Sequence, residues 1–543
     1  MNNRGNRRNR LIQTACAPIG LTLASYALFC AVCGHQLRGA PSVPDAGARE
    51  KLSPEIRAVI NEARFKHAHW GMLVADRATG DVIYELNADL LFPPASTTKL
   101  YSVAAALDSL GSDYRFETPV YRRGGVDAKG VLDGDLILVA VGDPTLGGRT
   151  TAKDEIEFKN TDHTYANVTT GSVLTAADPL SGLNALTKQV AAAGIREVRG
   201  QVIIDARAFD PATGTGSGPS RLTPIMVNDN AIDFTITPTK KGSPAKIEWR
   251  PRSVALEVDA NVETVAAGGE TKIDCHPVGD NRFVVRGRIA AEHAPAVCVQ
   301  EVADAAKWAR TLFIEALQRS GVAVSASALE DNPANLLPRQ GDNTGLVRVA
   351  VLCSPPFSEN ARLVLKCSHN LHASTLPLLI AVQHGKRRLE DGMELEREFL
   401  KRAGLDTDSF SFGGGAGGAQ ADYTTPRMNV ALLRYMSTRP DFHVFERALP
   451  VLGVDGTLAE DVPAGSPARG KVRAKTGTLY WRNLTNGHFL LTSKALAGYL
   501  TAKSGRELVV SFVVSGVHMD SGAQTKAIGK ALAHLCEIVH QAL

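Results

Sequence analysis

Apolar residues along this chain switch between two periods, and the switches divide it. Ile56, Val59, Ile60 and Ala63 recur at helical spacing after Ser53-Pro54, a cap followed by a first-turn proline. Trp70–Asp76 and Asp81–Leu86 then read as a β-hairpin around Ala78-Thr79-Gly80. After the Pro93-Pro94-Ala95 break, Leu100, Val103, Ala104, Leu107 and Leu110 hold one helical face, and Gly111 ends it. From about 116 to 350 the pattern is short β-type runs separated by Gly, Pro and Asp turns: Asp135–Val141, Gln201–Asp205, Asp233–Thr237, Ala255–Val258 and Arg282–Arg288. Residues 145–180 are polar, rich in Thr and Asp, and expected at the surface rather than in the core. Leu496–Thr501 and Glu507–Ser515 form a second expected hairpin, and Ile528, Leu532, Leu535 and Val539 mark a closing helix. An antiparallel sheet with helices packed on it is the economical α+β arrangement.

Length and charge refine this outline. At 543 residues the chain exceeds one simple domain, and 44% hydrophobic with 21% charged residues is a globular composition. The net charge of +4 comes from the start: Arg4, Arg7, Arg8, Arg10 and Arg38 have no acidic counterpart among residues 1–40, and without them the chain carries −1. A near-neutral body gives no reason to expect nucleic acid as partner. The basic start and the uncharged run Leu11–Gly34 read as an export signal, either cleaved or kept as a membrane anchor, so the body is expected in the periplasm or cell envelope. Of eight cysteines, Cys275, Cys298, Cys353, Cys367 and Cys536 lie in the body; Cys275–Cys298 is the first pair to test for a disulfide. No metal-ligand spacing occurs in the body, and no metal or other cofactor is expected.

The candidate chemistry lies in three strings. Ser96-Thr97-Thr98-Lys99 opens a predicted helix, and residues at i and i+3 share a face, so Ser96 can serve as nucleophile with Lys99 as its amine base. The rival Ser243-Pro244-Ala245-Lys246 has proline inside and runs into a strand-like segment, so it reads as a surface turn. Ser368-His369-Asn370 stands between apolar helical runs, where a loop can aim a hydroxyl and an amide into a cleft; its rival is Ser358-Glu359-Asn360. Lys475-Thr476-Gly477, continued by Thr478, suits a strand whose glycine lets another backbone pass closely. Together these supply serine acyl transfer.

In these motifs the chain resembles the low-molecular-mass penicillin-binding proteins, specifically the D-alanyl-D-alanine carboxypeptidase/endopeptidase group of penicillin-binding-protein-4 type (peptidase family S13). Gly134-Asp135-Leu136, Gly142-Asp143-Pro144-Thr145, Asn228-Asp229-Asn230, Ser354-Pro355-Pro356 and Gly453–Leu458 fit the same group. The 269 positions from Lys99 to Ser368 match its hallmark, extra domains inserted between the first and second motifs. The resemblance implies a β-lactamase/transpeptidase-like catalytic domain (50–115 with 350–543), an inserted β-rich domain II (116–145 with 214–349) and a domain III (146–213). It implies attack by Ser96 on a D-Ala-D-Ala bond, proton transfer through Lys99 and Ser368, and alignment by Asn370. Lys475, Thr476, Gly477 and Thr478 would bind substrate. Peptidoglycan stem peptides would be the partners, with β-lactams as covalent inhibitors. Two positions depart from the pattern. His369 stands where Asp is usual, and Phe412–Gly418 lacks the serine and aspartate of an Asp-Gly-Ser-Gly string. A β-lactamase-like hydrolase and a weakened peptidoglycan-binding protein are the competing readings.

Overall fold

The computed structural model describes residues 52–543 other than 168, 169 and 343; the expected leader at 1–40 lies outside them. The chain opens with a short helix, Pro54–Ile60 (α1), capped by the Ser53 hydroxyl. Strands His69–Asp76 (β1) and Val82–Leu86 (β2) form the first antiparallel hairpin. A 3-10 turn, Ala95–Thr98, leads into Lys99–Leu110 (α2), which Gly111 ends at a φ of 88°. Strands Glu117–Val126 (β3) and Val131–Val139 (β4) begin the inserted region. The chain returns through Phe357–Lys366 (α3) and Asn370–Gln383 (α4). Strands Val472–Arg482 (β5), Phe489–Thr501 (β6) and Glu507–Ser515 (β7) precede the closing helix Gln524–Ala542 (α5).

The order β5-β6-β7-β1-β2 makes an antiparallel sheet from both ends of the described chain, with Val517–Met519 added to β6. Strand alternation sorts its two faces. Leu73, Ala75 and Val509 pack with α2 and α4, while Met72, Val74 and Val510 pack with α1 and α5. Helix α2 is therefore central, and its residues Lys99 to Leu107 are all buried. The α+β class and both expected hairpins hold.

The inserted region has its own apolar core, around Leu136, Ile204, Phe234, Phe283 and Phe313. Its main sheet is mixed: β3 and β4 pair with Leu346–Cys353, Val202–Asp205 and Glu197–Val198. Strands from the 146–213 stretch thus share a sheet with residues 117–139. The polar 145–180 stretch differs from its expected place at the surface. Arg149, Asp162, His163 and Thr164 are buried, because they pair with one another and with residues of α4. No disulfide joins the five body cysteines; Cys275 and Cys298 sit on strands of different sheets. No helix among the described residues is long and apolar enough to cross a membrane.

Candidate active site

Ser96 lies in the tight turn before α2 rather than on the α-helix itself, and the preceding Ala95 has a φ of 47°. Lys99 still reaches it, with Nζ 2.8 Å from Ser96 Oγ. Nζ also donates to Asn370 Oδ1 at 2.7 Å and to the Ala416 carbonyl at 2.9 Å. As an ammonium, Lys99 fills three acceptors. As a neutral amine it keeps the Asn370 and Ala416 bonds and turns its lone pair to the Ser96 hydroxyl, which then donates. Burial drives Lys99 toward that neutral form, down to about 7, against the pull of Asp162, Cys367 and Asp422.

Ser368 stands at the junction of α3 and α4 with a φ of 64°, a left-handed conformation uncommon for a residue with a Cβ. Its neighbours hold it there. The His369 N–H bonds the Val364 carbonyl, and the Asn370 N–H bonds Asp162 Oδ2 at 2.9 Å. Ser368 Oγ accepts from Lys475 Nζ at 2.8 Å. Lys475 is fully buried on β5 and also donates to the Thr476 carbonyl. Burial, then the charge of Lys99, lower its pKa well below the ordinary lysine value. Thr476 Oγ1 lies 2.7 Å from Thr457 Oγ1, and Thr478 Oγ1 accepts from Lys494 Nζ at 2.8 Å. Gly477 is where the strand passes the nucleophile. A Cβ there would fall 2.7 Å from the Pro94 carbonyl oxygen and 3.2 Å from the Ser96 nitrogen.

One continuous chain of contacts thus joins Asn370, Lys99 and Ser96, and a second joins Ser368 and Lys475. The rival strings fall elsewhere. Ser358–Asn360 lies within α3, where Glu359 pairs with Arg362, and Lys246 begins a strand. The Gly-rich departure contributes through its backbone: Ala416 offers its carbonyl to Lys99, and Gly415 offers its own to Ser102. Asp422 holds this loop closed by accepting from the Gly413 and Ala419 N–H groups, each at 2.7 Å.

The family profile described as the D-Ala-D-Ala carboxypeptidase 3 (S13) family matches residues 52–537. The chain belongs to this family. Among its relatives, the D-alanyl-D-alanine carboxypeptidase of Actinomadura sp. (strain R39) is 30% identical over 524 residues, covering 92% of this chain and 87% of that one. The DacB carboxypeptidase of Haemophilus influenzae is 25% identical over 463 residues, covering 82% and 85%. The crystal structure of penicillin binding protein 4 from H. influenzae shares the fold with a TM-score of 0.65 at 19% identity, covering 90% of this chain and 99% of that one.

Behind the second motif this S13 chain carries a buried polar cluster; the sequence marked His369 and Asp229 separately but neither their meeting nor the parts of Arg149, His163 and His372. His369 points away from Ser96, stacks on His372 at 3.8 Å, and sets Nε2 at 3.3 Å from Asp229 Oδ2. His372 Nε2 lies 2.6 Å from Asp229 Oδ1. Arg149 Nη2 donates to Asp229 Oδ2 at 2.5 Å and lies 2.9 Å from His163 Nδ1. Burial opposes ionisation of Asp229, but Arg149 and the two imidazoles outweigh it and hold the carboxyl well below the usual range. Burial and the neighbouring His369 push His372 down to about 4. The donor set can bring three ligand atoms together in two ways, Asp162-His163-His369 and Asp229-His369-His372. The Arg149 guanidinium already occupies Asp229, so the cluster reads as an internal ion network rather than a metal centre.

Proposed function

We propose that this chain is a serine DD-peptidase of peptidoglycan that cleaves D-Ala-D-Ala through an acyl-Ser96 intermediate and is acylated by β-lactams. The placement of Lys99 Nζ between Ser96 Oγ and Asn370 Oδ1 carries the reading. Neutral Lys99 takes the Ser96 proton as Oγ attacks the carbonyl carbon. Ser368, bridged to Lys475, relays a proton to the departing D-Ala amine. The Ser96 and Thr478 backbone N–H groups face the developing oxyanion. Asn370 aligns the substrate amide. Lys475, with Thr476 and Thr478, meets the terminal carboxylate, whose charge favours the protonated lysine. Water then cleaves the ester and regenerates Ser96.

The relatives named as D-alanyl-D-alanine carboxypeptidases support the substrate class. The penicillin binding protein 4 complex with a β-lactam supports the inhibitor class, at a TM-score of 0.64. The arginine-rich start and the uncharged 11–34 run support export to the cell envelope, tested by fractionating cells that express the chain with and without residues 1–40.

Incubation with fluorescent penicillin and mapping of the labelled peptide tests the reading. The expected label sits on Ser96 and disappears in Ser96→Ala; a label elsewhere, or one that survives the substitution, overturns it. Digestion of purified peptidoglycan is expected to release free D-Ala, and counting severed cross-links in the same digest measures any endopeptidase action. An acyl-enzyme lasting minutes or longer fits a peptidase, and turnover in seconds a β-lactamase.

A further inference from the structure

Besides its contacts with His369, the inserted region reaches the second motif at two points that end on Asn370. The first is Asp162. Its carboxylate is 1% exposed and accepts the Thr164 N–H through Oδ1 and the Asn370 N–H through Oδ2, each at 2.9 Å. The Asn370 N–H belongs to the first turn of α4, where backbone donors lack helical partners. A carboxylate from 208 positions away supplies the acceptor, and negative charge suits that helix end. The second point is Ser217, an exposed residue whose Oγ accepts from Asn370 Nδ2 at 3.0 Å. Holding Nδ2 there leaves Oδ1 as the atom that faces Lys99. A flipped amide would set its NH2 group against the Lys99 donors. The approach is close, since a Cβ on Gly216 would lie 2.5 Å from Asn370 Cγ.

We propose that the inserted region supplies two positioning residues for acylation, Asp162 through the Asn370 backbone and Ser217 through the Asn370 amide. Neither meets the reacting atoms. Both act through Asn370 on the lysine that receives the Ser96 proton, so the proposal rests on Ser96 being the nucleophile. Asp162 has a second, electrostatic effect, because its charge pulls the Lys99 pKa up against burial. The other groups bearing on Asp162 are His369, with Nε2 at 3.7 Å, and the adjacent His163. Arg149, Tyr165 and Cys367 feel its charge in turn. Lys99 also feels Cys367 and Asp422, and it bears on Lys475.

The two residues therefore predict different signatures. In Asp162→Asn the pull on Lys99 is gone, so the acid limb of the acylation profile moves to lower pH while the plateau rate falls about tenfold. In Asp162→Glu the charge returns, and the limb moves back toward its original place. In Ser217→Ala no charge changes. The limb stays, and the plateau falls about fivefold with penicillin affinity before acylation unchanged. The measurement is the penicillin acylation rate of the full chain from pH 5 to 10, with folding checked by thermal melting. An Asp162→Asn limb in the wild-type position, or a Ser217→Ala plateau at the wild-type rate, overturns the proposal. Ser217 is exposed, so its variant decides the matter alone if Asp162→Asn does not fold. Labelling that persists in Ser96→Ala strikes the nucleophile reading instead, and the two failures are told apart.

Discussion

At the scale of single residues, the site turns on the charge of Lys99. A lysine at its ordinary value of about 10.4 is almost wholly protonated near neutrality and cannot accept the Ser96 proton. Burial brings it to about 7, so the neutral form grows as pH rises through that value. Acylation is accordingly expected to climb from pH 6 to 8 and level off above, measured as the rate of penicillin adduct formation. Lys99→Met fills the space without a base and is expected to lose at least about a hundredfold at every pH, with the climb abolished. The sequence showed this pair clearly, because Ser96 and Lys99 are three positions apart and local geometry alone brings them together. It could not show Asp162 or Ser217. Their partner Asn370 lies 208 and 153 positions away, and an isolated Asp or Ser carries no periodic signal. Nor could it settle the missing serine and aspartate of the Gly-rich segment. What that segment gives Lys99 is the Ala416 carbonyl, which any residue supplies.

At the scale of elements, β5 must pass the turn that bears Ser96, and Gly477 sets how closely it can. Alternation places Gly477 and Lys475 on the same side of the strand. Lys475 reaches Ser368 only if the strand stays near the turn. In Gly477→Ala the new Cβ meets the Pro94 carbonyl at 2.7 Å and the Ala95 Cβ at 3.1 Å, both on the short turn rather than on flexible tips. The strand and the turn must move apart by several tenths of an ångström. Acylation is expected to fall at least about tenfold with melting temperature little changed, because β5 keeps its full register with β6. Stopped-flow acylation beside a thermal melt checks this. The hairpins and the closing helix were legible because each carries its own period. The 3-10 turn at Ser96 was not, since one short turn before a helix has no period distinct from the helix.

At the scale of the whole molecule, a buried ion network joins the insertion to the second motif. Asp229 and Arg149 come from the insertion, and His369 and His372 from the catalytic side. The 269-position gap marked a long stretch between the first two motifs; the polar character of 145–180 concealed that part of it is buried, because charged residues read as surface until their partners are known. Removing one partner of such a pair costs more than the pair itself contributes, as the other charge is left in a poor dielectric. Arg149→Met is therefore expected to destabilise the protein by about 3–5 kcal/mol near neutral pH, read as a lowered unfolding midpoint. The pH dependence has a definite sign. Asp229 is held well below 3.8, so the stability it contributes is complete above that value and is lost as pH falls toward its folded-state value. Without Arg149 the carboxyl is held down less firmly, and the gap between variant and parent narrows on acidification. Arg149→Met combined with Asp229→Asn leaves no unpaired buried charge and is expected to recover much of the lost stability at neutral pH. Acylation should recover less in the double variant. An amide in place of the Asp229 carboxylate offers only one carbonyl oxygen where two imidazoles are now held, so His369, and with it the strained Ser368, is less firmly fixed. Parallel melts and acylation rates at pH 5 and 7.5 separate the two effects, and equal recovery of both would show that the network stabilises the fold without positioning the second motif.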